Sequence, residues 1–203
     1  GYDEQNKAST DTSVTDPANA WKKVNGVYVD NNGKTIEGAL LRGISVAKWQ
    51  GDIDWAKVAA DDISFAFIKM MSYGYEGGYT MDPNYEKNMK GALDNGVRQL
   101  VCYLQTKTVE EAKAAAKYAV EKVSGYNVKY PIAVDVESKY ILELSVQELT
   151  DVVNAFCDTI VAAGYTPIVY SDYSKFTTEM DTKQIHYDIW LARYGADGTY
   201  EGR

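Results

Sequence analysis

Residues 131–137 read PIAVDVE, and this stretch decides the fold class. The run from Pro131 to Val134 has no polar alternation, which is typical of a parallel strand covered on both faces. Two acids, Asp135 and Glu137, close the run. Residues i and i+2 of a strand point to the same side, so we expect both carboxyl groups to face one space, with Cα atoms roughly 6–7 Å apart.

The acid pair has two interpretations. Two carboxyl groups that face one space have pKa values pushed apart, which suits acid and base work on a bond that must be protonated. Burying an ionised acid without a partner also costs free energy, so acids at the end of a buried run need a reason. Alternatively, the strand ends at Val134 and the acids lie in solvent, where they cap the segment that follows. This stretch alone leaves both interpretations open.

Composition limits the classes of protein to consider. The 203 residues suffice for one sizeable core, in the size range of a single α/β barrel. The 17 tyrosines suit a surface that stacks on flat, hydroxylated ligands such as sugars, although tyrosine is also a common strand residue. The net charge of −8 argues against a nucleic-acid partner, whose phosphates require a basic surface. No apolar run reaches the length of a membrane span.

The first forty residues differ from the rest of the chain. Residues 1–20 are polar and are predicted to be a linker or the trimmed start of a mature secreted protein; they contain no recognisable signal peptide. In residues 21–40, two short β-prone runs flank the turn signal DNNG, so we predict a small β-hairpin there.

From residue 41 onward a strand-then-helix pattern repeats. Six strands are predicted, at 41–47, 65–71, 99–105, 131–137, 167–172 and 188–194. Capping boxes at Thr108 with Glu111 and at Ser145 with Glu148 mark two of the helices, and Asp82 before Pro83 marks another. Alternating strands and helices predict an α/β fold with a parallel sheet. A closed TIM-like β/α barrel needs eight strands, so residues 41–203 are expected to form a barrel that lacks its last strands.

Further candidate site residues follow from this fold. Sites of parallel α/β proteins gather at the carboxyl ends of the strands, where the acid pair also falls. The other polar and aromatic residues predicted at those ends are Tyr103, Tyr170, Asp172, Trp190 and Tyr194. Each aromatic residue taken alone is more often part of a core than of a ligand site, so their convergence carries the prediction.

The sequence lacks the residues that a serine hydrolase, a histidine and cysteine metal site or a phosphate-binding loop would need. The chain has a single histidine and no G-x-S-x-G motif, which argues against a Ser-His-Asp hydrolase. Cys102 and Cys157 lie among apolar neighbours, which predicts buried free thiols, and no histidine and cysteine cluster suggests a metal. The segment YGYEGGY, residues 73–79, lacks the lysine and hydroxyl residue of a phosphate loop and is predicted to be a mobile loop between a strand and a helix, beside the site.

Several segments together resemble the family 25 glycoside hydrolases. They are RGISVAKWQGDIDWAKV, FAFIKMMSYGY, DPNYEKNMKGALDNG, YPIAVDVE, ELTDVVNAFCDTIVAAGYTPIVYSDYS and YDIWLARYG, which run in order from Arg42 to Gly195. Members of this family are lysozymes that cleave bacterial cell-wall glycan between N-acetylmuramic acid and N-acetylglucosamine. The resemblance implies a flattened β/α barrel, no metal or cofactor, and peptidoglycan strands as the partner, met outside the cell or at the wall.

The resemblance also implies roles for the acid pair, because the D-x-E motif of the family matches Asp135 and Glu137. Glu137 would be the general acid for the leaving oxygen. Asp135 would stabilise the positive charge that develops as the substrate's own acetamido group attacks. The hairpin at residues 21–36 resembles a wall-binding repeat.

The sequence departs from the family pattern at two places. Ser45 replaces an acid of the first strand, and its hydroxyl can bind but cannot carry charge. The chain also stops at Arg203, before the final strand that usually supplies another aspartate. The leading interpretation is therefore a muramidase that retains its acid pair. The alternatives are a wall-glycan binding protein with weakened or lost turnover, and a piece whose function needs the segment after Arg203. An open sheet edge would also invite pairing with another chain.

Overall fold

The computed structural model describes residues 22–30, 32–73, 78–98, 100–103, 106–139 and 141–192, without the side chains of 100–103 and 142. Its strands are β1 (Lys22–Val24), β2 (Val27–Val29), β3 (Gly43–Val46), β4 (Phe65–Tyr73), β5 (Tyr79–Met81), β6 (Leu100–Tyr103), β7 (Ile132–Asp135), β8 (Pro167–Asp172) and β9 (Asp188–Ala192). Its α-helices are α1 (Trp55–Ala60), α2 (Tyr85–Asp94), α3 (Val109–Val123), α4 (Val146–Ala162) and α5 (Tyr173–Thr178). Short 3-10 turns occur at Lys48–Gln50, Ile141–Glu143 and Thr182–Gln184.

Six parallel strands form the main sheet, in the order β3-β4-β6-β7-β8-β9. They are the six strands that the sequence predicts, and β7, which ends in Asp135, lies in the middle of the order. Within the described part of the chain, the two end strands β3 and β9 do not pair with each other. The fold is therefore a mixed α/β fold with an open sheet rather than a closed barrel.

The helices cover one face of this sheet. In β7, Ile132, Val134 and Val136 are completely buried in the main core. The apolar residues of α4 pack into the same core, as do the alanines of α3. The capping boxes at the start of α3 and α4 both form, with Thr108 and Ser145 accepting hydrogen bonds from the third residue of each helix.

The opposite face of the sheet is lined by a second apolar cluster. It contains Phe65 and Phe67 of β4, Ala133 of β7, Ile168 of β8 and Trp190 of β9. The rings of Phe67 and Trp190 stack with centroids 3.7 Å apart. Because β4 and β9 are not neighbours in the sheet, this contact requires the sheet to curl into a trough with this face inside.

The amino-terminal hairpin forms, but its turn is not where the sequence analysis placed it. β1 and β2 are joined at Asn25 and Gly26, which both have positive φ and so match the twist of a two-residue hairpin. A second turn begins at Asp30, whose Oδ1 accepts hydrogen bonds from the backbone of Asn32 and Lys34. Val29 and Thr35, on either side of this turn, form an isolated antiparallel bridge. Residues 1–21 lie outside the described residues.

Two local predictions around β5 are wrong. The segment 73–79 is not a strand-to-helix loop: its ends belong to β4 and β5, which pair antiparallel, while residues 74–77 lie outside the described residues. Helix α2 begins at Tyr85 with Asn84 as its N-cap, so Asp82 does not cap it. The buried Asp82 instead accepts hydrogen bonds from the backbone of Asn84 and Lys48, which joins this segment to the turn after β3.

Candidate active site

The acid pair lies at the carboxyl end of the central strand β7. Asp135 is the last residue of the strand, and the extended backbone continues because the Val136 amide donates to the Tyr170 carbonyl at 2.9 Å. The Ser171 hydroxyl donates to the Val136 carbonyl at 2.6 Å. Since Val136 points into the main core, its neighbours Asp135 and Glu137 point to the trough side of the sheet.

Asp135 and Glu137 are both half-buried, Asp135 at the last position of the strand and Glu137 beyond its end. Asp135 Oδ1 is inaccessible to solvent and has no hydrogen-bond partner among the described residues. Burial and the negative charge of Glu137 raise the pKa of Asp135 well above its usual range, and the positive charges of Lys69 and Lys175 oppose this rise. The two carboxyl groups therefore form a coupled acid site, in which two lysines favour the ionised form of Asp135.

The strand register gathers four predicted site residues into one row. Asp135 pairs with Tyr103 on one side and with Tyr170 on the other, and Tyr170 pairs with Trp190. In-register residues of parallel strands face the same side, so Tyr170 and Trp190 share the trough with Asp135. Their rings contact each other with centroids 4.3 Å apart. The side chain of Tyr103 and the whole of Tyr194 lie outside the described residues.

Asp172, predicted to contact substrate, is already engaged within the protein. It ends β8 and caps α5 directly, accepting a hydrogen bond from the Lys175 amide at 2.9 Å through Oδ1. Its Oδ2 forms an ion pair with the Lys175 ammonium group. Asp172 is thus a helix cap and a partner of Lys175, and a direct contact with substrate stays a prediction.

Ser45 lies apart from the row that contains Asp135. It is exposed on β3 and pairs with Phe67, so it faces the trough side of the sheet. Two strands, β4 and β6, separate β3 from β7 in the sheet. A residue at position 45 can therefore approach the acid pair only across the trough.

The sequence analysis missed three residues beside the predicted ones. Lys69 was detectable as the one charged residue in the apolar run of β4, and Lys175 as the third residue of a capped helix. Trp49 follows β3 in a short turn, is 42% exposed, and has the Lys48 ammonium group 4.3 Å from its ring centre. An exposed tryptophan at a strand's carboxyl end is a candidate sugar contact.

Two absences concern the described residues only. No group of three or more histidine, cysteine, aspartate or glutamate side chains is placed there to hold a metal ion. None of the helices in those ranges is both long and apolar enough to cross a bilayer. Cys157 is a buried free thiol, as predicted, and the Cys102 side chain falls outside the description.

Two carboxyl groups at the carboxyl end of a central parallel strand, facing a trough lined by aromatic rings, are typical of glycoside hydrolases. The chain belongs to the glycosyl hydrolases family 25, whose sequence profile matches residues 44–202.

The chain is similar in sequence to two curated proteins. Uncharacterized protein YegX of Escherichia coli K12 is 29% identical over 160 residues, which cover 76% of this chain and 56% of YegX. The lysozyme of Streptococcus phage Cp-7 is 41% identical over 96 residues, 44% of this chain and 27% of that protein. This chain thus spans only about half of YegX and about a quarter of the phage lysozyme.

The solved structure of the modular autolysin LytC from Streptococcus pneumoniae has the same fold. It superposes with a TM-score of 0.75 at 22% identity, over 90% of this chain and 45% of LytC. LytC has also been solved in complex with a synthetic peptidoglycan ligand.

Proposed function

We propose that this chain is a muramidase that hydrolyses the β-1,4 bond between N-acetylmuramic acid and N-acetylglucosamine in peptidoglycan. The observation that carries the proposal is the acid pair, with Asp135 and Glu137 on the trough side at the end of β7. Membership of family 25 and the peptidoglycan ligand of LytC support the choice of substrate. Such a substrate implies action outside the cell or at the cell wall.

The geometry supports different roles for the two carboxyl groups. Glu137 lies beyond the strand end and matches the general acid of the family motif, so we assign it the proton that the leaving oxygen takes as the glycosidic bond breaks. Asp135, ionised in the reactive state, stabilises the positive charge that forms as the acetamido oxygen of the substrate attacks the sugar carbon. Water then opens the resulting ring and returns a proton to Glu137.

The test is hydrolysis of purified peptidoglycan, followed by turbidity and by release of reducing ends. Glu137→Gln should lower the rate by about 10²–10⁴-fold, because the amide cannot donate the proton, while binding to sedimented peptidoglycan is retained. A rate within a few-fold of the parent would show that the acid lies elsewhere.

The second candidate function is a wall-glycan binding protein with weakened or lost turnover. Ser45 favours it, because the family resemblance places an acid there and the structure has an exposed hydroxyl on the trough side. Retention of the parent protein on sedimented peptidoglycan, without release of reducing ends at any pH, would decide for this function. Pairing of an open sheet edge with a second chain stays a prediction from the sequence.

A further inference from the structure

Lys175 is held in an unusual environment for a lysine. The motif lies at the start of α5 and spans residues 172–175. Asp172 caps the helix with Oδ1 and forms an ion pair with Lys175 through Oδ2. The Lys175 side chain is only 16% exposed and that of Asp172 is 35% exposed. Lysine is rarely buried to this extent, because removing an ammonium group from water costs free energy unless negative charge compensates it.

The chain contains the same motif in an exposed position. Asp54 caps α1 by accepting a hydrogen bond from the Lys57 amide, and Lys57 Nζ lies 3.3 Å from Asp54 Oδ2. There the lysine side chain is 86% exposed and the aspartate side chain 53% exposed. An aspartate cap with a lysine three residues later therefore does not require burial, so the burial of Lys175 reflects its surroundings.

Those surroundings are the acid pair. Asp135 pairs with Tyr170, and the Val136 amide continues the same ladder, so extending the register by two residues sets Asp172 beside Glu137. Neighbouring strands are about 4.8 Å apart, which makes Asp172 the nearest backbone position on β8 to Glu137. Asp135, Glu137 and Asp172 thus all lie at the carboxyl ends of β7 and β8, and the positive charge of Lys175, paired with Asp172, acts on Asp135.

We propose that Lys175, oriented by Asp172, is a positioning residue that keeps Asp135 ionised and so leaves the proton of the acid pair on Glu137. Three charged groups act on this balance, namely Glu137 beyond β7, Lys69 on β4 and Lys175 on α5, and Asp172 on β8 holds Lys175 in place. Burial and Glu137 favour a proton on Asp135, and the two lysines oppose it. An ion pair with Asp172 holds Lys175 in position, and the same aspartate caps the helix on which Lys175 lies.

This inference rests on the proposed roles of the acid pair, but its test does not require turnover. The carboxyl carbon of Asp135 is labelled with ¹³C and titrated by NMR in the full chain. Lys175→Met should raise the midpoint of the Asp135 titration by about one pH unit, the effect expected for loss of a nearby opposite charge. Where the parent hydrolyses peptidoglycan, the same variant should lower kcat in the pH range between the two midpoints.

Two controls separate a local charge effect from a structural one. Lys175→Arg keeps the charge and should leave the midpoint near that of the parent. Lys57→Met removes the same charge from the matching exposed motif and should leave the midpoint unchanged. The proposal is overturned by an unchanged midpoint in Lys175→Met, or by an equal rise in Lys57→Met. A parent without hydrolytic activity would contradict the proposed function and leave the titration result standing.

Discussion

The rings of Phe67 and Trp190 stack at 3.7 Å although three strands lie between β4 and β9. In a flat sheet, four strand spacings would separate these residues by about 19 Å. The sheet must therefore curl until its two flanks meet above Ala133, and this curl shapes the space that the acid pair faces. The contact is thus a structural requirement of the candidate site as well as a part of its core.

A double-mutant cycle tests this contact. Phe67→Leu and Trp190→Leu should show a coupling free energy of about 0.5–1.5 kcal/mol in urea unfolding, because stacked aromatic pairs stabilise beyond their buried area. Phe67→Leu with Phe156→Leu is the matched control, since Phe156 is buried in the core on the other face. Additivity of the first pair within about 0.5 kcal/mol would mean that the sheet is flatter in solution.

Asp135 should make stability depend on pH in an unusual direction. Its pKa is raised in the folded protein, so its contribution to the free energy of unfolding is full below the unfolded pKa of about 3.9 and is lost as pH rises through the folded pKa. Asp135→Asn removes the buried charge and should therefore be more stable than the parent at pH 7, by about 1.4 kcal/mol for each unit by which the pKa is raised.

Urea unfolding across pH measures this effect, and the difference should vanish near pH 3. The exposed Asp151→Asn serves as the control and should follow the parent at every pH. A variant that is less stable than the parent at pH 7 would show that Lys69 and Lys175 outweigh burial, so that ionised Asp135 stabilises the fold.

The third prediction concerns Ser45. A carboxylate at position 45, facing the trough, adds negative charge, so the acid pair should keep its single catalytic proton to higher pH. Ser45→Asp should raise the initial rate of peptidoglycan hydrolysis and move the basic limb of its pH profile upward. Ser45→Asn has similar size without charge and should leave the profile in place. No gain at any pH, in a folded variant, would mean that Ser45 does not limit the activity.

Local patterns in the sequence predicted much of the fold. Continuous apolar runs identified all six parallel strands. Both faces of a parallel strand are covered, so residues that point to either face are apolar. The capping boxes at Thr108 and Ser145 were predicted because their hydrogen bonds join residues three apart in the chain. The position of the acid pair at the end of β7 follows from the same local reasoning.

What the sequence analysis missed depends on contacts between distant segments. The curl of the sheet is evident from the contact between two rings that are 123 residues apart in the sequence. Hydrophobic periodicity within one segment cannot predict such a contact. β5 has three residues and is a strand only because β4 extends far enough to pair with it. Asp172 is the exception, because its ion pair and its cap join residues only three apart and could have been predicted as the capping boxes were.

The docking of the amino-terminal hairpin has a consequence for protein engineering. Tyr28 is buried and donates a hydrogen bond of 2.8 Å to Asp62, between α1 and β4, and Lys23 Nζ lies 3.4 Å from the same carboxylate. The hairpin and the main sheet should therefore be kept together when chimeras are made, although their sequences resemble two separate modules. A chimera joined near residue 41 would replace a fixed joint by a flexible one, while a junction before residue 22 would transfer the hairpin with its anchor intact.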